Sequence, residues 1–320
     1  MLKKFFVILL VVLLLASILV GVGFGQNGNK DKQNEKVRTV TIPISIFTKK
    51  EQKENRVEEF VQAGDLKVEE DGDDQVILSI RSVTNTPLAL AILIQDDLTT
   101  DTNLKLVEIR KFIRNLPKGS RVMVAYLRSG TIQIRQKFTD DLEKAAKSLR
   151  IVTGSSAVAP SSPYQGVEEA LKRFDALPIG RRAVLLVSDG LDASRGIESS
   201  SPGQSLDLDR AILRAQRKSV AVYSFYSPAS ATTGGNSILI LNGQGSLERL
   251  SDETGGRAFF QGSIAPISFE PFFDDLSLAL NRQFALTYLS THMKKGYHKL
   301  KVSSTNPEVK IEHPRGYYYR

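Results

Sequence analysis

The sequence predicts an α/β fold, with a doubly wound, mostly parallel sheet flanked by a small β module that is built from both ends of the chain. Three continuous apolar runs, at 88–94, 183–187 and 220–225, are typical of strands buried on both faces of a parallel sheet. Amphipathic helical patterns separate these runs, as a doubly wound sheet requires. Before and after this region the pattern changes to that of antiparallel strands.

The first 37 residues indicate export. Lys3 and Lys4 precede an apolar run that extends to about residue 20, and a glycine-rich stretch follows. This order predicts a secretory signal at 1–25, followed by a polar linker at 26–37. An uncleaved membrane anchor is the alternative, because the apolar stretch is long enough to span a bilayer. The protein is therefore expected in the periplasm or outside the cell, or tethered to the membrane by this segment.

The N-terminal β segment is predicted at 38–84. Every second residue from Val40 to Ile46 is apolar, as in a strand with one buried face. An Asp-Gly dipeptide at 71–72 lies between two further alternating stretches and predicts a hairpin. The C-terminal β segment, at 284–320, is predicted to pair with this one.

The α/β domain is predicted at 86–283, as an insertion into that β module. A polar residue that can cap a helix precedes several of its apolar periodic stretches, for example Asp101 and Ser162. Besides the three buried strands, shorter strands are predicted at 121–127, 131–138 and 258–260. Helices are predicted near 102–116, 140–149, 164–177, 208–215, 247–253 and 273–280.

Composition excludes several classes of function. The chain has 320 residues and no Cys, so it has no disulfide, no thiol nucleophile and no Cys-ligated metal. There are 43 Lys and Arg against 35 Asp and Glu, an excess too small for this length to indicate a nucleic-acid partner. The 3 histidines all lie beyond residue 290, away from the α/β loops, so no Ser-His-Asp arrangement is visible.

Oxygen-bearing side chains follow the predicted buried strands, at the edge where doubly wound sheets bind ligands. Carboxylates and hydroxyls without His or Cys suit Mg²⁺, Mn²⁺ or Ca²⁺. The alternative is local: acidic and hydroxyl side chains also cap helices and shape turns without any metal. The cofactor is therefore a divalent cation, with Mg²⁺ as the first candidate, or none. The candidate ligands are Asp96, Asp97, Thr99, Thr100, Ser162 and Asp189.

Several motifs give the chain a family resemblance. The run LLVSDGLD at 185–192 comes after an aspartate-tipped first strand, DLKVEEDGDDQ stands at 65–75, and GYHKLKV stands at 296–302. In this order and spacing the chain resembles von Willebrand factor A-like domain proteins, in particular the exported bacterial VWFA-related (acidobacterial-type) family. The resemblance implies a von Willebrand factor A fold, which is Rossmann-like, and a metal-ion-dependent adhesion site.

That adhesion site resembles Asp-x-Ser-x-Ser after the first strand, a Thr in a later loop and an Asp after the fourth strand. In a first register Asp96 is the first aspartate and Thr100 the last hydroxyl, which puts Leu98 where a ligand serine belongs. Ser162 stands near the position of the Thr, and Asp189 matches the last Asp.

A second register is shifted by one residue. Asp97 is then the first aspartate and Thr99 the first hydroxyl, while Asp101 replaces the last serine. Neither register carries the complete motif, so the resemblance supports the fold more strongly than it supports the metal.

These observations predict an exported, non-enzymatic module of adhesion type that binds a protein. A partner's acidic side chain would complete the coordination of the cation. No nucleic acid is expected as a partner, and contact with a membrane is expected only through the N-terminal segment. The alternatives are a metal-free structural or assembly domain of the cell envelope, which Leu98 favours, and an envelope hydrolase that uses the same loops.

Overall fold

Two β-sheets organise the protein. The computed structural model describes residues 37–48, 65–83, 86–154, 161–177, 180–233 and 236–319. The predicted signal or anchor at 1–25 and all but the last residue of the predicted linker lie outside these ranges. Within them, no helix combines the length and the apolar character needed to cross a membrane.

The strands follow in chain order. They are β1 Arg38–Thr48, β2 Leu66–Glu70, β3 Asp73–Ser82, β4 Leu88–Gln95, β5 Arg121–Arg128, β6 Thr131–Thr139, β7 Arg181–Ser188, β8 Ala221–Tyr226, β9 Ala258–Phe259, β10 Gln283–Ser290, β11 Gly296–Ser304, β12 Val309–Glu312 and β13 Gly316–Tyr319.

The α-helices are α1 Leu106–Arg114, α2 Leu142–Lys147, α3 Pro163–Lys172, α4 Leu206–Arg217, α5 Ser230–Thr233, α6 Ser237–Thr254 and α7 Glu270–Asn281. Short 3-10 helices occur at Thr100–Lys105, Arg173–Ala176 and Ile197–Ser199.

The first sheet has the strand order β6-β5-β4-β7-β8-β9. All neighbouring pairs are parallel except β5 with β6. The chain builds outwards from β4 in one direction, through β5 and β6, and then in the other, through β7, β8 and β9. The topological switch point therefore lies between β4 and β7, whose carboxyl ends are adjacent. The predicted fold class is confirmed.

Helices cover this sheet on both faces, which explains why its strands appear as continuous apolar runs. Along β4, Leu90 and Ile92 pack into one apolar cluster with side chains of α1 and α7. The alternate residues Ala91 and Leu93 pack into a second cluster with side chains of α3 and α4. Each fully buried aliphatic side chain contributes roughly 1.5–3 kcal/mol, so the two clusters are the main source of stability in this region.

The second sheet is antiparallel and has the order β12-β1-β10-β3-β2-β11-β13. Strands from the two ends of the chain are interleaved in it: β1 pairs along β10 from Arg38↔Ser290 to Ser45↔Gln283, and β2 pairs with β11. Its apolar cluster includes Ile42, Val68 and Val302, so both chain ends contribute to one core. Neither end could bury its apolar face without the other.

Two helix starts differ from the predictions. Asp101 does not cap a helix: Thr99 stands at the cap position, makes no side-chain capping bond, and a 3-10 turn begins after it. Helix α6 begins ten residues before the predicted start at 247, because Asn236 Oδ1 accepts from the backbone N–H groups of Ile238 and Leu239. Two glycines in its first turns interrupt the apolar periodicity that would have indicated it.

Candidate functional site

The predicted ligands lie on loops at the carboxyl edge of the six-stranded sheet, meaning the loops that follow its parallel strands and the helix starts beside them. The pair Asp96-Asp97 follows β4, and Asp189 follows β7. Backbone hydrogen bonds tie the loop before α3 to both: the N–H groups of Thr153 and Gly154 donate to Asp96 O at 3.1 and 3.2 Å, and Ala193 N donates to Ser161 O at 3.0 Å.

Asp96 is held by an arginine that the sequence analysis did not single out. Arg150 donates from Nη1 to Oδ1 at 2.6 Å and from Nη2 to Oδ2 at 3.0 Å. The guanidinium also lies 4.1 Å from the centre of the Tyr126 ring, and the tyrosine hydroxyl donates to Arg150 O at 2.5 Å. Since both oxygens of this buried carboxylate are engaged by a fixed positive charge, Asp96 does not fit a metal ion.

Leu98 is a second residue that does not fit the first register of the metal-site motif. Its side chain is fully buried, and its backbone forms a bridge with Ala229. Thr100, the last hydroxyl of that register, is exposed at the start of the 3-10 turn. The first register therefore places one engaged carboxylate and one hydrocarbon side chain where two ligands would be needed.

The second register fits a cation better. Thr99 N donates to Pro228 O at 2.9 Å, which holds this residue against the end of β8. Its hydroxyl is buried and has no hydrogen-bond partner among the described residues. Asp97 is half-buried, and its negative charge acts on Asp189 across the switch point. A nearby cation would satisfy the unpaired Thr99 hydroxyl and would reduce the repulsion between the carboxylates of Asp97 and Asp189.

Asp189 is buried, and its environment favours the neutral acid. Burial raises the pKa of this carboxyl to about 7, the hydrogen bond from Leu191 N to Oδ1 opposes the shift, and the charge of Asp97 adds to it. Gln95 fixes the start of the loop, because its Oε1 accepts from Ser188 Oγ at 2.5 Å and from Asp189 N at 3.2 Å. A cation bound nearby would favour the ionised form of this carboxyl and would lower its pKa.

Helix α6 fixes the position of the Asp189 loop by close backbone contact. A Cβ on Gly243 would lie 2.1 Å from Asp189 O, and a Cβ on Gly190, which has φ +72°, would lie 2.3 Å from Gly243 O. Only glycine allows this approach. In the sequence, Gly243 is visible as a glycine in a region of apolar residues. Nothing in the sequence identifies the loop that it approaches.

The side chain of Ser162 caps helix α3. Its fully buried hydroxyl accepts from Tyr164 N at 3.3 Å, with Pro163 in the first turn of the helix. Tyr164 then donates from its hydroxyl to Gly190 O at 2.6 Å. Of the six predicted ligands, Asp96 and Ser162 are engaged in other contacts and Thr100 is exposed. Asp97 and Asp189 interact through their charges, and Thr99 lies on the same loop as Asp97.

Exposed apolar side chains are frequent on the elements at this edge, which the sequence alone did not indicate. Of the 15 large apolar side chains that are exposed in the described part of the chain, ten lie on its loops or in the first two turns of its helices. One of the ten is Phe260, and we call the other nine the aliphatic rim. They are Leu104, Val107, Ile151, Ile197, Leu206, Ile238, Leu241, Ile264 and Ile267.

A second group of donors lies in the seven-stranded sheet. Glu70, Asp71 and His298 each offer one ligand atom, and these atoms lie within 4.8 Å of one another. The structure therefore holds a group that could bind a metal ion at a place outside the predicted site.

The chain is similar in fold to solved von Willebrand factor A structures. BatB from Bacteroides thetaiotaomicron matches with a TM-score of 0.43 and 13% identity, covering 60% of this chain and 97% of BatB. The von Willebrand factor type A protein from Catenulispora acidiphila matches with a TM-score of 0.43 and 11% identity, covering 82% and 76%. The SpRpn10 VWA domain matches with a TM-score of 0.37 and 15% identity, covering 60% and 94%.

These likenesses concern the fold alone. No protein-family profile matches the chain, and no curated protein matches it. By its sheet order and its covering helices the chain has the doubly wound α/β fold that the resemblance implies. The narrower acidobacterial-type assignment stays a prediction.

Proposed function

We propose that this protein is an exported, non-enzymatic binding module of adhesion type that docks a protein partner on the carboxyl edge of the six-stranded sheet. The aliphatic rim carries this proposal. Several large aliphatic side chains exposed on the loops and helix starts of one edge, beside polar loop residues, are typical of surfaces that become buried on association. Loops on a rigid α/β scaffold are also the common place for binding residues in this fold class.

The polar centre of the edge would orient the partner. Asp97, Thr99 and Asp189 are the residues that would hold a divalent cation, of the Mg²⁺, Mn²⁺ or Ca²⁺ class. When bound, the ion would accept an acidic side chain of the partner. Its positive charge would also offset the cost of ionising Asp189, whose pKa is raised to about 7 by burial and by the charge of Asp97.

A metal-free structural or assembly domain is the second candidate, and a specific observation favours it. Arg150 already provides the positive charge that Asp96 requires, and Leu98 provides no oxygen. In that case the partner would be held by the aliphatic rim and by polar contacts without an ion.

Site-directed cross-linking tests the docking surface. A photo-cross-linking residue is placed at Leu241 or at Ile267 of the full chain in its native host, with Lys118, exposed on the opposite edge of the sheet, as the matched control. We expect both rim positions to capture the same protein and Lys118 not to capture it. Capture that is equal at Lys118, or absent at both rim positions, would contradict the proposal.

Titration of Mg²⁺ into the full chain separates the two candidates. We expect the wild-type protein to bind, Asp189→Ala to lose binding, and Asp140→Ala, an exposed carboxylate at the opposite edge, to keep it. If neither the wild type nor the variant binds, the metal-free candidate stands. Turnover of a peptide, ester or phosphate substrate would contradict the non-enzymatic assignment.

A further inference from the structure

The group of donors in the seven-stranded sheet lies where segments from the two ends of the chain meet. Glu70 is the last residue of β2, and Asp71 begins the turn to β3. On the opposite strand, β11, His298 is two residues from Leu300, the partner of Glu70 in the pairing of β2 with β11. Asp71 is fixed to this strand, since its Oδ1 accepts from Lys299 N at 2.8 Å and its N–H donates to Lys299 O at 2.9 Å.

His298 has acceptors at both ring nitrogens. Nε2 lies 2.7 Å from Lys294 O, and a carbonyl oxygen can only accept, so Nε2 carries a proton. Nδ1 lies 2.8 Å from Asp71 Oδ2 and 3.3 Å from Glu70 Oε1. In the neutral ring the lone pair of Nδ1 would face two carboxylates, so either a second proton or a metal ion must lie between them.

Glu70 adds an unsatisfied oxygen at the same place. Its side chain is fully buried. Oε1 accepts from Tyr317 Oη at 2.6 Å and from Ser290 Oγ at 3.0 Å, and Arg38 Nη2 lies 3.4 Å away. The other oxygen, Oε2, is buried and has no hydrogen-bond partner in the described part of the chain. A buried carboxylate oxygen without a partner is costly. The buried Tyr288 hydroxyl interacts with Glu70 and also has no completed hydrogen bond among the described residues, so either this hydroxyl or a cation could satisfy the carboxylate.

A second imidazole completes the group. His292 Nε2 lies 3.2 Å from Asp73 Oδ2, while its Nδ1 is buried, has no hydrogen-bond partner among the described residues and lies 3.9 Å from Glu70 Oε1. In both histidines Nδ1 therefore points at the glutamate, while Nε2 is fixed by an outer oxygen. Outer acceptors of this kind set the tautomer of metal-binding histidines.

The local charge suits a divalent ion. The three carboxylates of Glu70, Asp71 and Asp73 stand against one guanidinium, that of Arg38, so with neutral imidazoles the group has a net charge of about −2. The aromatic ring of Tyr317 lies over His298 with ring centres 5.4 Å apart and limits access of water from that side.

We propose that Glu70, Asp71, His292 and His298 form a binding site for a divalent transition-metal ion, with Zn²⁺ as the ion that the donors fit best. Two imidazole nitrogens and two carboxylate oxygens are a common tetrahedral Zn²⁺ set, whereas Mg²⁺ and Ca²⁺ disfavour imidazole. Zn²⁺ bonds of about 2.0–2.2 Å place donors roughly 3.3 Å apart. Donor atoms of Glu70, Asp71 and His298 lie within 4.8 Å of one another, and His292 Nδ1 lies 3.9 Å from Glu70 Oε1, so side-chain rotations must bring the four donors closer.

The ion would join β2 and the β2–β3 turn to β11 and to the segment between β10 and β11. These segments are more than 200 residues apart in the sequence, as the separation of 227 residues between Asp71 and His298 shows. Binding to the folded state alone would therefore stabilise the pairing of the two chain ends.

Zinc titration of the full chain, after removal of metal with a chelator, tests the site. We expect one Zn²⁺ per chain and an unfolding midpoint that rises with Zn²⁺ concentration. His298→Gln should weaken binding by more than the roughly 10–100-fold that loss of an outer partner causes. Asp74→Asn, which removes an exposed carboxylate of β3 that pairs with Lys67, is the matched control and should bind as the wild type does.

Asp71→Asn keeps the test valid if His298→Gln fails to fold. Asp71 has φ +52°, a conformation that Asn adopts readily, and an amide oxygen can still accept from Lys299 N. We expect this variant to fold and to lose Zn²⁺ binding. Absence of Zn²⁺ binding by the wild type would overturn the proposal, as would wild-type affinity in Asp71→Asn. Nitrogen NMR that shows His298 protonated on both ring nitrogens in excess Zn²⁺ would overturn it too.

Discussion

The two sheets each hold a buried carboxylate next to positively charged or polar groups, and the two carboxylates are satisfied in different ways. At the carboxyl edge of the six-stranded sheet, both oxygens of Asp96 are engaged by Arg150. In the seven-stranded sheet, one oxygen of Glu70 has several donors and the other has none among the described residues. The difference indicates that an acidic position in a loop does not decide whether a cation can bind. The donors already present around the carboxylate decide it.

The largest effect is expected from removal of the Arg150 side chain, which supplies the positive charge beside Asp96. Asp96 is 1% exposed in the wild type, and Arg150→Ala removes its bidentate partner, so we expect a loss of up to about 3–5 kcal/mol in the free energy of unfolding, because a largely buried charge loses its compensation. Denaturant unfolding of the full chain measures it. Arg128→Ala is the control: this arginine is 58% exposed and lies 3.8 Å from Asp96 Oδ2, so its removal should cost no more than about 1 kcal/mol.

Equal losses for the two arginine variants would show that Arg150 does not satisfy Asp96 in the way described. A gain of Mg²⁺ affinity in Arg150→Ala would sharpen the comparison, because it would show that the arginine excludes a cation from a carboxylate that is otherwise able to bind one.

The pH dependence of Asp189 tests the other carboxylate of the edge. Its pKa rises from the ordinary 3.8 to about 7 on folding, through burial and the charge of Asp97. The folded state therefore binds this proton more tightly than the unfolded state, and stability falls as the pH rises from about 4 to about 7. We expect Asp189→Asn to lose much of this decline, which amounts to at most about 1.4 kcal/mol per pH unit.

Unfolding experiments at pH 5 and pH 8 measure this effect, with Asp101→Asn, an exposed carboxyl on the same edge, as the control. The stability of Asp189→Asn relative to the wild type should increase between the two values, and that of Asp101→Asn should change little. The prediction is wrong if the wild type and Asp189→Asn respond to pH alike.

Two glycine variants are expected to give the smallest changes in stability, and the two changes are expected to be opposite in sign. Gly243→Ala places a Cβ against Asp189 O, and we expect a loss of about 1–3 kcal/mol from overpacking. Gly245→Ala, in the same helix, meets only the Pro202 ring at 3.2 Å and should gain up to about 1 kcal/mol from helix propensity. Thermal unfolding measures both. Two losses of similar size would mean that α6 does not fix the Asp189 loop by close approach.

Much of the fold followed from local patterns. The apolar run of β4 and the apolar face of α1 predicted a strand buried on both sides and a helix that covers it, and both are present. The start of α6 was missed, since glycines that serve a contact with another loop interrupt the period that identifies a helix. Propensity and periodicity report on neighbours in the sequence, and this contact joins residues 54 positions apart, Asp189 and Gly243.

The sequence also identified the edge that carries Asp97, Thr99 and Asp189, because the carboxyl ends of parallel strands must lie together. It could not show that Asp96 is paired with Arg150. A guanidinium in a loop after a short helix has no sequence signal that selects its partner, and several carboxylates were available to it.

By itself the sequence determined which segments are strands and helices, which faces they bury and the kind of sheet they form, because those features depend on periods of two and 3.6 residues. The tertiary structure alone decided which charges meet: Arg150 with Asp96, and His298 with Glu70 and Asp71. The physical reason is that an ion pair or a metal site requires donors within a few ångströms, and the topology of the two sheets, rather than spacing along the chain, sets those distances.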